Sequence, residues 1–149
     1  MSGFLLDTNV ISEYSRAWPP DVRVKRWVDT QNEDTLHLSV LTFGEIRKGV
    51  TLLPAGKKRD QLEQWLESEL SARFANRLLP INRAIAEIWG AMAGQAQLKG
   101  ITLAIIDGLM AATAKHHDLT VVTRNVKDFS VWEIPVTNPW ETMSNTRDD

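Results

Sequence analysis

Three carboxylates stand where apolar runs stop or helices begin: Asp7 after Phe4-Leu5-Leu6, Glu45 three residues beyond Thr42, and Asp107 after Ala104-Ile105-Ile106. The run before Asp7 reads as a buried strand. In a parallel sheet, ligands and chemistry collect at the C-terminal ends of the strands. Gly108-Leu109-Met110-Ala111-Ala112 follow Asp107, so no face of its helix is polar. Its carboxylate is therefore expected to be partly buried and to need compensation. Three acids converging in a partly dry cleft repel one another unless a cation joins them. Hard oxygen donors suit Mg²⁺ or Mn²⁺, which retain waters and engage phosphate. Such ions orient a water, lower its pKa and stabilise the charge on a phosphodiester attacked in line. Each acid also has a plainer structural reading. Asp7 can cap a helix, Glu45 can close a Thr42-x-x-Glu45 capping box, and Asp107 can be a helix-start acid satisfied by backbone N–H groups.

The elements that must position these acids alternate. Residues 10–14 suggest a short helix capped by Asp7, Thr8 or Asn9. Pro19-Pro20 break the chain, and Asp21 caps a second helix carrying Val24, Trp27 and Val28. Leu36-His37-Leu38-Ser39-Val40 alternates as a strand, and a helix through residues 50–53 follows until Pro54 and Gly56. An amphipathic helix over 58–74 places Leu62, Trp65, Leu66 and Leu70 on one stripe. Leu78-Leu79-Pro80-Ile81 reads as a short edge strand, since proline is tolerated there. Asn82 caps a helix bearing Ile85, Ile88, Trp89 and Met92, which Gly100 closes. A helix from Thr102 to His116 or His117 precedes a strand at 119–123, and 131–136 suggest the last strand. Strands separated by helices argue for an α/β fold with a parallel sheet covered on both faces.

The 149 residues suffice for one domain, expected over residues 1–140, with a polar, frayed tail over 141–149. No apolar run reaches membrane-spanning length and no basic-then-apolar leader opens the chain, so the cytoplasm is the expected location and no membrane partner is expected. The chain has no cysteine, which excludes disulfides and thiolate metal sites. A formal charge of −2 excludes a uniformly basic nucleic-acid binder but permits local patches. Six tryptophans without a repeat read as core or interface residues. His37, His116 and His117 show no ligand spacing and read as structural. Arg47, Lys48, Lys57, Lys58 and Arg59 cluster near Pro54, where a solvated face is the simpler reading than RNA contact.

A fourth stretch, Thr123-Arg124-Asn125-Val126-Lys127-Asp128-Phe129, comes after the 119–123 strand. With Leu5-Leu6-Asp7-Thr8-Asn9, Thr42-Phe43-Gly44-Glu45-Ile46 and Ile106-Asp107-Gly108-Leu109-Met110-Ala111-Ala112, it resembles the four motifs of PIN-domain ribonucleases. The likeness is to the VapC/FitB-type toxins of bacterial toxin–antitoxin pairs and runs over residues 4–139. Each motif alone is weak, whereas four in order at suitable spacing are specific.

The resemblance implies a PIN-like three-layer α/β/α fold and a Mg²⁺- or Mn²⁺-dependent endoribonuclease acting on single-stranded or loop RNA. It also implies a homodimer and a cognate antitoxin whose C-terminal segment blocks the acidic cleft. Asp7, Glu45 and Asp107 match the family's first three acids as catalytic metal ligands. The fourth acid position falls on Asn125, which accepts through its carbonyl without bringing a charge. Asp128 is the nearest substitute, at a position that more often faces the following loop. Thr8 and Asn9 are expected to support Asp7 by hydrogen bonds. Thr123 and Arg124 border the cleft, and Arg124 suits phosphate. Two alternatives stand beside this reading: a catalytically weak or silent partner-binding module on the same fold, and a DNA-directed nuclease, since none of these residues reads a 2′-hydroxyl. A haloacid-dehalogenase-like phosphatase would need an acid where Asn9 stands, and a receiver domain would need acids and a lysine that the chain does not place.

Overall fold

Leu5 and Leu6 are both wholly buried, yet they serve different cores. Successive side chains of a strand point to opposite faces, so this pair places its strand in the middle of a layered structure. The computed structural model describes residues 3–15 and 19–141. Its strands are β1 (Phe4–Leu6), β2 (Leu36–Ser39), β3 (Leu78–Leu79), β4 (Thr120–Val122) and β5 (Val136–Thr137). They form one parallel sheet in the order β3-β2-β1-β4-β5. Phe4 pairs with Leu36 on one side and Thr120 on the other, and Leu6 pairs with Val122. Both neighbours of β1 are thereby in register, which sets the strand ends level.

The helices are α1 (Thr8–Ile11), α2 (Val22–Asp29), α3 (Val40–Leu52), α4 (Lys57–Gln64), α5 (Ser71–Arg73), α6 (Arg83–Leu98), α7 (Ile105–His117) and α8 (Val126–Ser130). On the Leu6 face, Val10 and Ile11 of α1, Val24 and Val28 of α2, and Ile46 of α3 join Leu66, Leu70 and Phe74. On the Leu5 face, Met110, Ala111 and Ala114 of α7 join Phe129 of α8, Leu119, Val121 and Trp132. The result is a three-layer α/β/α architecture. Among the described residues, no helix is long and apolar enough to cross a membrane.

Most boundaries reflect their local chemistry. Asp21 accepts from the Arg23 N–H at 2.8 Å to cap α2, and Asn82 accepts from the Ile85 N–H at 2.9 Å to cap α6. At the other end of α6 the Gly100 N–H donates to Gln97 O and the Ile101 N–H to Ala96 O. This closure requires a left-handed residue, supplied by Gly100 at φ 77°. β3 takes the edge, as its proline-bounded sequence suggested.

Four expectations need correction. The helix expected over 58–74 is interrupted by a π-helical turn at Trp65–Leu70, where the Ser71 hydroxyl donates back to Leu66 O. The helix expected from Thr102 begins at Ile105. The last strand is Val136–Thr137, not 131–136, and α8 precedes it. A five-residue helix leaves too short a period to read and is unstable alone. Burying Phe129 completely, worth roughly 2–3 kcal/mol, holds it in place. The tryptophans are less uniformly buried than a core reading implies: Trp132 and Trp140 are buried, while Trp27, Trp65 and Trp89 are half-buried. Apart from Glu141, the polar tail lies outside the described residues, as does Trp18.

Candidate functional site

β1 and β4 lie side by side, but the chain fans away from them in opposite directions, to β2 and β3 on one side and to β5 on the other. The crevice beyond the C-terminal ends of such a strand pair is where open α/β sheets bind ligands. Asp7 and Thr123 occupy it. The Asp7 N–H donates to Val122 O at 2.9 Å and the Thr123 N–H to Thr137 O at 2.9 Å. Each ladder therefore runs one residue past its strand and fixes the backbone of the residue that faces the crevice.

The Asp7 carboxylate accepts from two donors, the Thr8 N–H at 2.8 Å and the Thr123 hydroxyl at 2.8 Å. Asp7 thus caps α1 and stands at the site at once, so its two readings do not compete. Thr123 is wholly buried. Its oxygen accepts from the Asn125 N–H at 2.9 Å and lies 3.4 Å from the Asn9 amide nitrogen. With both lone pairs engaged, its single proton is directed at Asp7. Asn9 also accepts from the Arg124 N–H at 3.4 Å through its amide oxygen. Asn9 therefore braces the Thr123–Arg124 turn, while Thr123 supports Asp7 directly.

Glu45 does not close a capping box. Ser39 caps α3 by accepting from the Leu41 N–H at 3.0 Å, so Thr42 already lies in the first turn and Glu45 in the second. The Glu45 carboxylate accepts instead from the Thr8 hydroxyl, whose oxygen is 3.2 Å from that of the buried Thr42. Thr8 links two acids, through its backbone to Asp7 and through its side chain to Glu45.

Asp107 is the third residue of α7, behind Ala104, which has no side chain able to cap. Among the described residues no hydrogen-bond donor reaches its carboxylate, although it lies in the first turn of α7. Gly108 explains part of its setting. A Cβ there would lie 3.0 Å from Trp132 Cζ2 and from Trp89 Cδ1 and Nε1. Only glycine lets two indoles close on this first turn. Sequence reasoning passed over Trp89 and Trp132 because nothing in their spacing ties them to residue 107; the glycine after the acid was the available signal.

The electrostatics reflect this crowding. Burial raises the Asp7 carboxyl, its bonds to Thr123 and Thr8 pull it back, and the Glu45 and Asp128 charges raise it again. Burial, then the charges of Asp7, Asp128 and Glu45, push Asp107 up to about 6. Nothing lowers it. The charge of Asp128, an exposed residue of α8, adds to the raising of both carboxyls. Asn125 is the N-cap residue of α8, exposed, with a side chain that caps nothing.

Other expected features fall elsewhere. Arg47 of the basic cluster is paired with Glu63 and Glu67 at 2.9 Å, as a solvated face requires. His37 Nδ1 lies 3.0 Å from Thr35 O, and the rings of His116 and His117 meet edge-on in the last turn of α7. These histidines are structural.

Among the described residues, no three carboxylates or imidazoles are drawn close enough to cage an ion unaided. Asp7 and Asp107, both raised by burial and by neighbouring carboxylate charge, have the hard oxygen chemistry that a divalent cation takes.

A small parallel sheet between two helical layers, in the order β3-β2-β1-β4-β5, is the architecture of a PIN fold. The PIN domain family model matches residues 4–131, and the chain belongs to that family. It is 43% identical to the toxin FitB of Neisseria gonorrhoeae over 91% of this chain and 97% of that one. It is 39% identical to the VapC ribonuclease Y4jK of Sinorhizobium fredii over 92% and 97%. The solved structure of FitAcB from Neisseria gonorrhoeae superposes with a TM-score of 0.84 at 42% identity, covering 93% of this chain and 99% of that chain.

Proposed function

We propose that this protein is the toxin of a toxin–antitoxin pair, a divalent-metal-dependent endoribonuclease held in check by a cognate antitoxin. One observation carries the reading: at the sheet's switch point Thr8 ties Asp7 to Glu45, and burial with the charges of Asp7, Asp128 and Glu45 raises the Asp107 carboxyl beside them. Asp7, Glu45 and Asp107 would hold Mg²⁺ or Mn²⁺. When bound, such an ion acts as a Lewis acid that makes water nucleophilic at neutral pH and offsets charge developing on a phosphodiester.

The chain's own residues do the positioning. Thr123 and the Thr8 N–H hold Asp7 in one orientation, and the Thr8 hydroxyl holds Glu45 relative to it. The Trp89 and Trp132 indoles pack against Gly108, the residue after Asp107, and fix the first turn of α7 that carries the acid. Asn125 lies beside this set as a neutral polar group able to hold a water. The names of the FitB and VapC relatives support the toxin and ribonuclease parts of the reading. A single domain over residues 1–140, a homodimer and a cytoplasmic location belong to the same proposal.

Cleavage of single-stranded RNA by the purified protein tests it. Activity is expected with Mg²⁺ or Mn²⁺ and absent with chelator, in Asp7→Asn and in Asp107→Asn. Persistent cleavage in chelator, or full activity in either variant, would remove the metal site from the reaction. Binding of RNA without cleavage under any metal would favour the silent-module reading, for which Asn125 at the fourth acid position is the motivating departure.

A further inference from the structure

Arg124 is next in the chain to Thr123, the residue that holds Asp7, yet its guanidinium does not turn onto the acids. It lies over the ring of Trp140, 5.0 Å from the centroid. Trp140 is only 4% exposed. Its N–H donates to the Asn138 side chain at 2.9 Å, and its carbonyl accepts from Arg23 of α2 at 2.8 Å. The indole is therefore a fixed platform. The backbone of Arg124 is held as well, by Asn9. Arg23, Arg47, Arg73, Arg77 and Arg83 each have a carboxylate partner. Arg124 is exposed and, like Arg26 and Arg59, has none among the described residues; of these three it alone lies over an aromatic ring.

An arginine kept on an aromatic face, next to a carboxylate cluster but unpaired with it, retains its planar fork for an anion from solution. The group that fits a guanidinium fork beside a phosphodiester site is another phosphate of the same strand. The guanidinium rests on the indole and bonds to none of the acids, which points it at a phosphate other than the one at the acidic centre.

We infer that Arg124, laid over Trp140, grips a phosphate of the bound strand adjacent to the one at the acidic centre. This rests on the nuclease reading above and adds to it the residue that fixes the strand's path across the cleft. Lysine would not substitute, because it offers a point charge without the stacking plane or the two-pronged fork.

The test is fluorescence anisotropy with a labelled single-stranded oligouridylate and the matching oligodeoxynucleotide, in chelator so that nothing is cut, over a range of salt. Arg124→Ala is expected to weaken binding about tenfold, and Arg124→Lys to recover only part of that loss. The slope of log affinity against log salt should fall by about 0.7 in Arg124→Ala, the value for one phosphate contact on a single strand. Trp140→Phe should give a smaller loss with the slope retained, since the platform is reduced but the charge stays. Equal losses on both oligomers mean the contact is to phosphate alone, as inferred. A loss confined to RNA would overturn that assignment, because a phosphate contact cannot sense the 2′-hydroxyl. If wild type binds and Arg124→Ala binds equally well with the same slope, the inference fails while the nuclease reading stands. If wild type binds neither oligomer, the inference falls, while the nuclease reading is decided by the cleavage assay with Mg²⁺ or Mn²⁺.

Discussion

Asp107→Asn converts the acidic cluster's repulsion into a stability change with a definite sign. The Asp107 carboxyl is pushed up to about 6 from an ordinary 3.8. A group whose pKa is raised by folding stabilises fully below its unfolded pKa, and that contribution is lost as pH rises through the folded pKa. The window here runs from about pH 4 to about pH 6, so at neutral pH the native state carries the whole penalty of the ionised form. At about 1.4 kcal/mol per pKa unit the shift corresponds to about 3 kcal/mol, and solvent around the half-buried side chain reduces this to roughly 1–2 kcal/mol. Asparagine keeps the volume and imitates the protonated acid. Without metal, the variant should melt about 3–6 °C above wild type at neutral pH, and near pH 4 the two should converge. Mg²⁺ should then raise the wild-type melting temperature by mass action and the variant's much less. Scanning calorimetry at both pH values, with and without Mg²⁺, reads all of this. If Asp107→Asn melts lower at both pH values and Mg²⁺ moves neither protein, Asp107 is a structural acid and the repulsive cluster does not exist.

Two further substitutions probe its neighbours. Asn125→Asp adds a charge beside the cluster, so calorimetric titration should show Mg²⁺ binding tightened by about fivefold, roughly 1 kcal/mol, at low salt. Unchanged affinity would place residue 125 outside the ion's reach. Thr123→Val removes a hydroxyl at constant shape and strands a buried carboxylate and the Asn125 N–H; denaturant unfolding should register a loss of about 1–3 kcal/mol. In an Asp7→Asn background that loss should shrink, and equal losses in both backgrounds would mean Thr123 and Asp7 are not coupled.

The order of strands and helices was legible because each chain segment declares itself. Phe4-Leu5-Leu6 is too apolar to face water, Asp21 and Asn82 cap the helices they precede, and Gly100 can close a helix as few residues can. The three acids were legible as positions but not as relations. Thr42-x-x-Glu45 is a valid capping box on sequence grounds, and only the choice of Ser39 as the cap, three residues before Thr42, turns Glu45 towards Thr8. α8 was hidden because one buried phenylalanine, not a periodic stripe, holds it. Asp128 was named from its motif, but that α8 would bring its charge within reach of Asp7 and Asp107 was not legible. Trp89, Trp132 and Trp140 act on the site from distant stretches of chain. Their contributions depend on the α6–α7 packing and on the closing turn after β5, and local patterning carries no information about either.

The most direct measurement is of the chemical ends left on cut RNA. Water activated at the acidic cluster breaks the phosphodiester without the neighbouring 2′-hydroxyl, so mass spectrometry should find no 2′,3′-cyclic phosphate. A substrate with a single 2′-deoxyribose at the cleaved position should be cut at a comparable rate, with Mg²⁺ or Mn²⁺ and not in chelator. Cyclic phosphate ends, together with loss of cutting at the deoxy position, would mean that the substrate's own hydroxyl is the nucleophile, and would contradict metal-activated water at Asp7, Glu45 and Asp107.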